Sequence, residues 1–219
     1  MKLRILLFFV LLSGVLRAQE QSWPFYDEIL EFKKQDSVSP PPARAILFVG
    51  SSSFRMWRDV QDYFPKHTII NRGFGGSSLP DVIRYEKDII FPYHPKQVVI
   101  YCGENDIASS DTVTAGTVIT RFKKLFHDIR ARFPGIPILF ISIKPSPSRW
   151  PMRERMIQAN DGIREFLLAQ KDAGFIDVWK KMLGKDGQPR ADIFIDDKLH
   201  MNAKGYAIWQ QQIESHLLK

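Results

Sequence analysis

The chain is poor in the features that would mark several protein classes at once. Among its 219 residues Cys102 is the single cysteine, so no disulfide framework can form within it. The apolar run from Ile5 to Leu12 is too short to cross a bilayer comfortably. No basic run is interleaved with aromatics as a nucleic-acid surface would require, which argues against such a partner. His67, His94 and His127 are scattered, and no His, Asp or Glu cluster has metal-ligand spacing, so neither a metal nor another cofactor is expected. The glycine-rich GFGGSS turn, Gly73 to Ser78, lacks the lysine and the spacing of a P-loop. There is no internal repeat and no low-complexity segment.

What is present begins at the N-terminus. Lys2 and Arg4 precede the apolar run, and small residues follow as far as Ala18. This is the pattern of a secretory signal peptide over residues 1–18, although Leu16 stands where a small residue is preferred. No cysteine lies close enough to accept a lipid, so the expected product is an exported protein without an integral membrane span, periplasmic or extracellular. The formal net charge is +7. Loss of Lys2, Arg4 and Arg17 leaves 28 basic against 24 acidic residues, a net +4 that speaks of solubility. About 200 remaining residues suit one α/β domain able to bury a full core.

The periodicity alternates. Phe25, Ile29 and Phe32 fall at helical spacing, and Pro40 to Pro42 then force extended chain. Residues 19–44 therefore read as a helix and a proline-rich linker ahead of a domain over 45–219. Short runs rich in β-branched residues, AILFV, HTIIN, QVVIY, IPILFISI and GFIDV, predict buried strands. Between and after them lie helical stripes: Phe122, Leu125, Phe126, Ile129 and Phe133; Met152, Met156, Ala159, Ile163 and Phe166; Tyr206, Trp209, Ile213 and Leu217. The expected fold is an α/β/α sandwich around a mostly parallel five-stranded sheet, flavodoxin-like in outline.

Sites in such sheets lie beyond the carboxyl ends of the strands. After AILFV stand Gly50, Ser51, Ser52 and Ser53; after HTIIN, the RGFGGSS turn; after QVVIY, Gly103-Glu104-Asn105-Asp106; after the last apolar stretch, ADIFI, Asp197 and His200 in a DxxH spacing. Each alone has an ordinary structural explanation. Together they supply a nucleophile, a base, an orienter and oxyanion donors.

With those blocks in order, the chain resembles the SGNH hydrolases, the GDSL-like lipases and acylhydrolases. The first block departs from GDS because Ser51 replaces the aspartate, as in GSSS-type branches that resemble platelet-activating-factor acetylhydrolases and carbohydrate esterases. The resemblance, from about Ala45 onward, implies Ser52 as nucleophile, His200 as base and Asp197 as its orienter. It implies an oxyanion hole from the amides of Ser52 and Gly76 and the side chain of Asn105. Gly73 or Gly75 would serve in a less favoured register. Asp196 is the competing orienter, and spacing to His200 favours Asp197.

Ser51 and Ser53 are expected to cap a helix beginning near Phe54. Asp106 is expected to stabilise its loop, and Cys102 to pack in the core. Arg55, Trp57, Arg149 and Trp150 are candidate substrate contacts, with Trp57 equally suited to helix packing. The expected substrate is a small-molecule or glycan ester carrying a short acyl group, acetyl foremost. A phospholipid-like ester is the alternative. An inactive relative that binds glycans or proteins on the same scaffold is the reading of another class, disfavoured by the complete set of five site residues. Oligomeric state is not legible.

Overall fold

The computed structural model describes residues 23–219. The signal-peptide reading lies outside the described residues. Five strands, β1 (Ile46–Gly50), β2 (Ile69–Gly73), β3 (Gln97–Tyr101), β4 (Ile138–Ile141) and β5 (Ala173–Ile176), form one sheet in the order β2-β1-β3-β4-β5. Every pairing is parallel. The expected three-layer α/β/α architecture is the one observed.

The strands read as unbroken apolar runs because both faces of the sheet are covered. Leu47, Val49, Val98 and Ile100 point into one core, and Ile46, Phe48, Val99 and Tyr101 into the other. On the first face lie α1 (Tyr26–Val38), α4 (Leu79–Ile89), α6 (Ala115–Arg132) and α7 (Arg153–Leu168). On the second lie two short helices, α2 (Ser52–Arg55) and α3 (Val60–Tyr63), with α8 (Ala203–Ile213). The stripes foreseen for α6, α7 and α8 are the faces these helices bury, except that Phe133 follows α6, Met152 precedes α7 and Leu217 follows α8. The short helix α5 (Glu104–Ser109) opens the crossover from β3 to β4.

The last apolar stretch, ADIFI, lies outside the sheet: Ala191–Ile193 form a 3-10 turn, and Phe194 makes a single antiparallel bridge to Met201. Asp192 and the exposed loop after Phe194 leave this stretch without the sustained pairing a strand needs. The DxxH segment is therefore carried by a loop that closes on itself, with Ile195 N–H donating to His200 C=O at 2.9 Å.

The chain leaves β1 toward the edge strand β2 and returns past it to β3, so the strand order reverses at β1. Crevices in open α/β sheets form at that point. Gly50, at φ 141°, ends β1 so close to β3 that a Cβ there would stand 1.9 Å from the Tyr101 carbonyl oxygen. Only glycine admits that approach, and it brings the residues after β1 beside those after β3.

Candidate active site

The serine turn departs from its expected form. The helix starts at Ser52, not near Phe54, and neither Ser51 nor Ser53 caps it through a side chain. Ser51 is buried, and its Oγ accepts a hydrogen bond from Asn105 Nδ2 at 2.8 Å. Ser53 is also buried, and its carbonyl accepts from the Tyr206 hydroxyl at 2.8 Å. Ser52, half-buried between two enclosed neighbours, is the serine of the three that solvent reaches.

His200 Nε2 lies 2.8 Å from Ser52 Oγ, and His200 Nδ1 lies 2.5 Å from Asp197 Oδ2. Asp197 Oδ1 meanwhile accepts from the backbone N–H groups of Leu199 and His200, each at 2.9 Å. Burial alone would push the Asp197 carboxyl up. The His200 ring and those two amides outweigh it and hold the group below the usual aspartate value. Asp197, and not Asp196, is the partner of the histidine.

Three candidate donors stand on the turns beside Ser52. The Ser52 and Gly76 N–H groups have no hydrogen-bond partner among the described residues. Gly76 is exposed, and a methyl on it would stand 3.7 Å from Asn105 Nδ2. Asn105 Nδ2 also donates to the Ser77 carbonyl at 3.2 Å, so Ser51 and Ser77 together fix its amide. The rival glycines are engaged elsewhere. Gly73 N–H donates to Asn71 Oδ1 at 2.9 Å, and Gly75 N–H to Glu28 Oε2 at 3.1 Å.

The segments carrying these donors are fastened from behind. Asp106, fully buried, accepts from Leu79 N–H at 2.8 Å and from Arg121 at 2.7 Å, tying the loop to the start of α4 and to the second turn of α6. Burial raises its carboxyl above the ordinary value, against the pull of Leu79 N–H and Arg121. Glu104, beside Asn105, is buried with Lys144, whose Nζ donates to it at 2.7 Å, and with the Tyr101 hydroxyl, also at 2.7 Å. Burial, reinforced by Glu104, keeps the Tyr101 phenol far above its ordinary value and so protonated. No sequence signal singled out this ion pair; a lysine directly after IPILFISI was its one trace. Cys102 is buried, as expected.

Of the four candidate substrate contacts, Trp57 is a correction. The helix ends at Arg55, and the following turn carries Trp57 into the core, where it is fully buried and stacks on Tyr206 with centroids 4.7 Å apart. Arg55 is half-exposed and pairs through Nε with the Glu28 carboxylate at 2.7 Å. Arg149 and Trp150 sit in a 3-10 turn over Pro147–Met152 that docks on the DxxH loop, Ser148 N–H donating to the Lys198 carbonyl at 3.1 Å. Trp150 stacks on Trp179 with centroids 6.1 Å apart, and Arg149 Nε is enclosed without a partner among the described residues.

The model of the GDSL-like lipase/acylhydrolase family matches residues 45–208. The chain belongs to that family. It is accordingly a carboxylic ester hydrolase. Human platelet-activating factor acetylhydrolase IB subunit alpha1 is similar at 26% identity over 184 residues, 80% of this chain and 75% of that protein. Two solved structures share the fold. A GDSL-like lipase from Bacteroides thetaiotaomicron superposes with a TM-score of 0.72 at 18% identity, covering 86% of this chain and 96% of its own. An acetyl xylan esterase from Geobacillus stearothermophilus does so at 0.63 and 15%, covering 82% and 99%.

Proposed function

We propose that this GDSL-family esterase works through an acyl-enzyme on Ser52 and acts on short acyl esters, acetyl foremost, carried by a carbohydrate. The observation that carries the chemistry is the continuous chain Asp197–His200–Ser52, with links of 2.5 and 2.8 Å. A serine hydroxyl is a weak nucleophile until a base takes its proton. Asp197 accepts a hydrogen bond from the Nδ1–H of His200, which leaves Nε2 as the acceptor facing Ser52. Ser52 Oγ attacks the ester carbonyl carbon and its proton passes to Nε2. The carbonyl oxygen becomes an oxyanion held by the Ser52 and Gly76 N–H groups and by Asn105 Nδ2, one of whose two N–H groups turns to it from Ser51 Oγ or the Ser77 carbonyl, each donor worth about 3 kcal/mol of barrier. Collapse expels the alcohol, which takes the proton from His200. Water, deprotonated by the same imidazole, then attacks the acyl-enzyme and releases the acid and free Ser52.

Three considerations support the choice of ester. Both the human relative and the xylan esterase carry acetyl in their names. The stacked pair Trp150–Trp179 offers flat apolar surface of the kind that packs on sugar rings, on a loop tied to the DxxH segment. A groove of about 420 Å³ runs on from Trp179 between α7 and the segment after β5, lined by Asp161, Arg164, Asp177 and Lys180. The N-terminal pattern supports export, to periplasm or medium. The acetylhydrolase relative favours a second reading, a phospholipid-like ester.

Hydrolysis of p-nitrophenyl esters from acetyl to palmitoyl separates these readings. Activity that falls steeply beyond butyryl, and that acetylated oligosaccharides share, is the expected result. A preference for long chains favours the lipid ester. Unchanged activity in Ser52→Ala would remove Ser52 from the mechanism.

A further inference from the structure

Helix α1 precedes the region that defines the family, yet one of its side chains reaches the oxyanion loop. Glu28 Oε2 accepts the Gly75 N–H at 3.1 Å and forms an ion pair with Arg55 Nε at 2.7 Å. Gly75 immediately precedes Gly76, and Arg55 closes the short helix that Ser52 opens. One carboxylate thus joins the two segments that supply the backbone donors. Phe25 adds an apolar contact at the same place. Its ring lies edge-on to Phe74 at 5.5 Å and occupies the space a Cβ on Gly75 would need, 2.3 Å from that position.

The helix is itself held firmly. Ile29 is buried in the core, the Tyr85 hydroxyl donates to the Pro24 carbonyl at 2.8 Å, and Lys33 pairs with Asp88 at 2.8 Å. Farther along, Asp36 pairs with Arg72 and accepts from the Tyr93 hydroxyl at 2.6 Å. Glu28 is therefore presented from a fixed base, so its grip on Gly75 constrains the loop and does not merely follow it.

Resting on the serine-esterase reading above, we propose that Glu28 is a positioning residue for the oxyanion hole. By pinning the Gly75 N–H it orients the next peptide, which carries the Gly76 N–H, and by holding Arg55 it keeps that peptide in register with the Ser52 turn. The ion pair with Glu28 explains why Arg55 Nε is not free to bind substrate. The segment 23–44 becomes a working part of the site although the family match begins at residue 45.

The test compares Glu28→Ala with Glu28→Gln on p-nitrophenyl acetate. Glutamine keeps an oxygen that accepts the Gly75 N–H, whereas alanine does not. The expected result is a ten- to hundredfold fall in kcat for Glu28→Ala, about what misplacement of a distant support costs. KM should stay within about twofold and the melting temperature near wild type, since a half-exposed ion pair adds little stability. Glu28→Gln should recover most of kcat. In nitrogen-labelled protein the Gly76 amide resonance should move in Glu28→Ala and stay in Glu28→Gln, a readout independent of the serine chemistry. Wild-type kcat in Glu28→Ala, an unmoved Gly76 resonance, or equal loss in both variants tracking a fall in melting temperature would overturn the proposal. Loss of the esterase reading itself would appear separately, as activity surviving in Ser52→Ala.

Discussion

The two sides of Ser52 are built by different means. On the oxyanion side, the donors stand at the ends of β1, β2 and β3, and buried contacts fasten them: Ser51 and Ser77 on Asn105, Asp106 on Arg121, Glu104 on Lys144. On the base side, Asp197 and His200 share a loop bounded by one 3-10 turn and an isolated bridge, and the Asp197 side chain is 42% exposed. The first side gains its precision from the sheet. The second gains it from hydrogen bonds within four consecutive residues. A donor aimed at an oxyanion must not move as charge develops, whereas an imidazole that passes a proton both ways needs orientation more than burial.

Substitutions on the base side should cost most in rate. In Asp197→Asn the side-chain oxygen can still accept from Leu199 and His200, so its NH2 faces Nδ1. The imidazole then carries its proton on Nε2 and cannot take the Ser52 proton. A loss of about 10⁴-fold in kcat is expected with little change in fold. The lowered Asp197 value adds a sign. Its contribution to stability is present above the ordinary aspartate range and is lost only as pH falls through the lowered value, so urea midpoints of wild type and Asp197→Asn should converge in acid. On the oxyanion side Asn105→Ala should cost about 10²–10³-fold in kcat, nearly flat across neutral pH. Equal losses in the two variants, or a pH-dependent loss in Asn105→Ala, would erase the distinction between the sides.

Behind the donors the comparison turns to stability. Lys144→Met leaves the buried Glu104 carboxylate with the Tyr101 and Ser146 hydroxyls and no cation. Urea unfolding should show a loss of about 3–5 kcal/mol, and Lys144→Met with Glu104→Gln a smaller one. A single variant as stable as wild type would mean that the pair is not what secures the floor of the site.

The contrast also explains what could be read from the sequence. The DxxH pair was legible because its geometry is local: Asp197 meets the imidazole and two amides three residues or fewer away. The strands were legible from β-branched runs; their ends located the loops and Asn105, and the family resemblance picked out Ser52 and Gly76 within them. What carries the DxxH pair could not be read from ADIFI, because a short apolar run fits a strand as well as a buried turn. Trp57 was ambiguous because helical spacing cannot tell where a four-residue helix stops. The role of Ser51 was hidden, since its partner Asn105 is 54 residues away. Glu28 and Lys144 were hidden for the same reason, because a charge placed by tertiary packing looks like any other charge along the chain.

The central claim, that Ser52 is the activated nucleophile, is tested most directly by treating the folded protein with a fluorophosphonate and mapping the adduct by mass spectrometry. One adduct on Ser52, absent from Ser52→Ala and strongly slowed in His200→Ala, is the predicted result. No adduct on the folded chain, or an adduct on another serine that persists in Ser52→Ala, would contradict it.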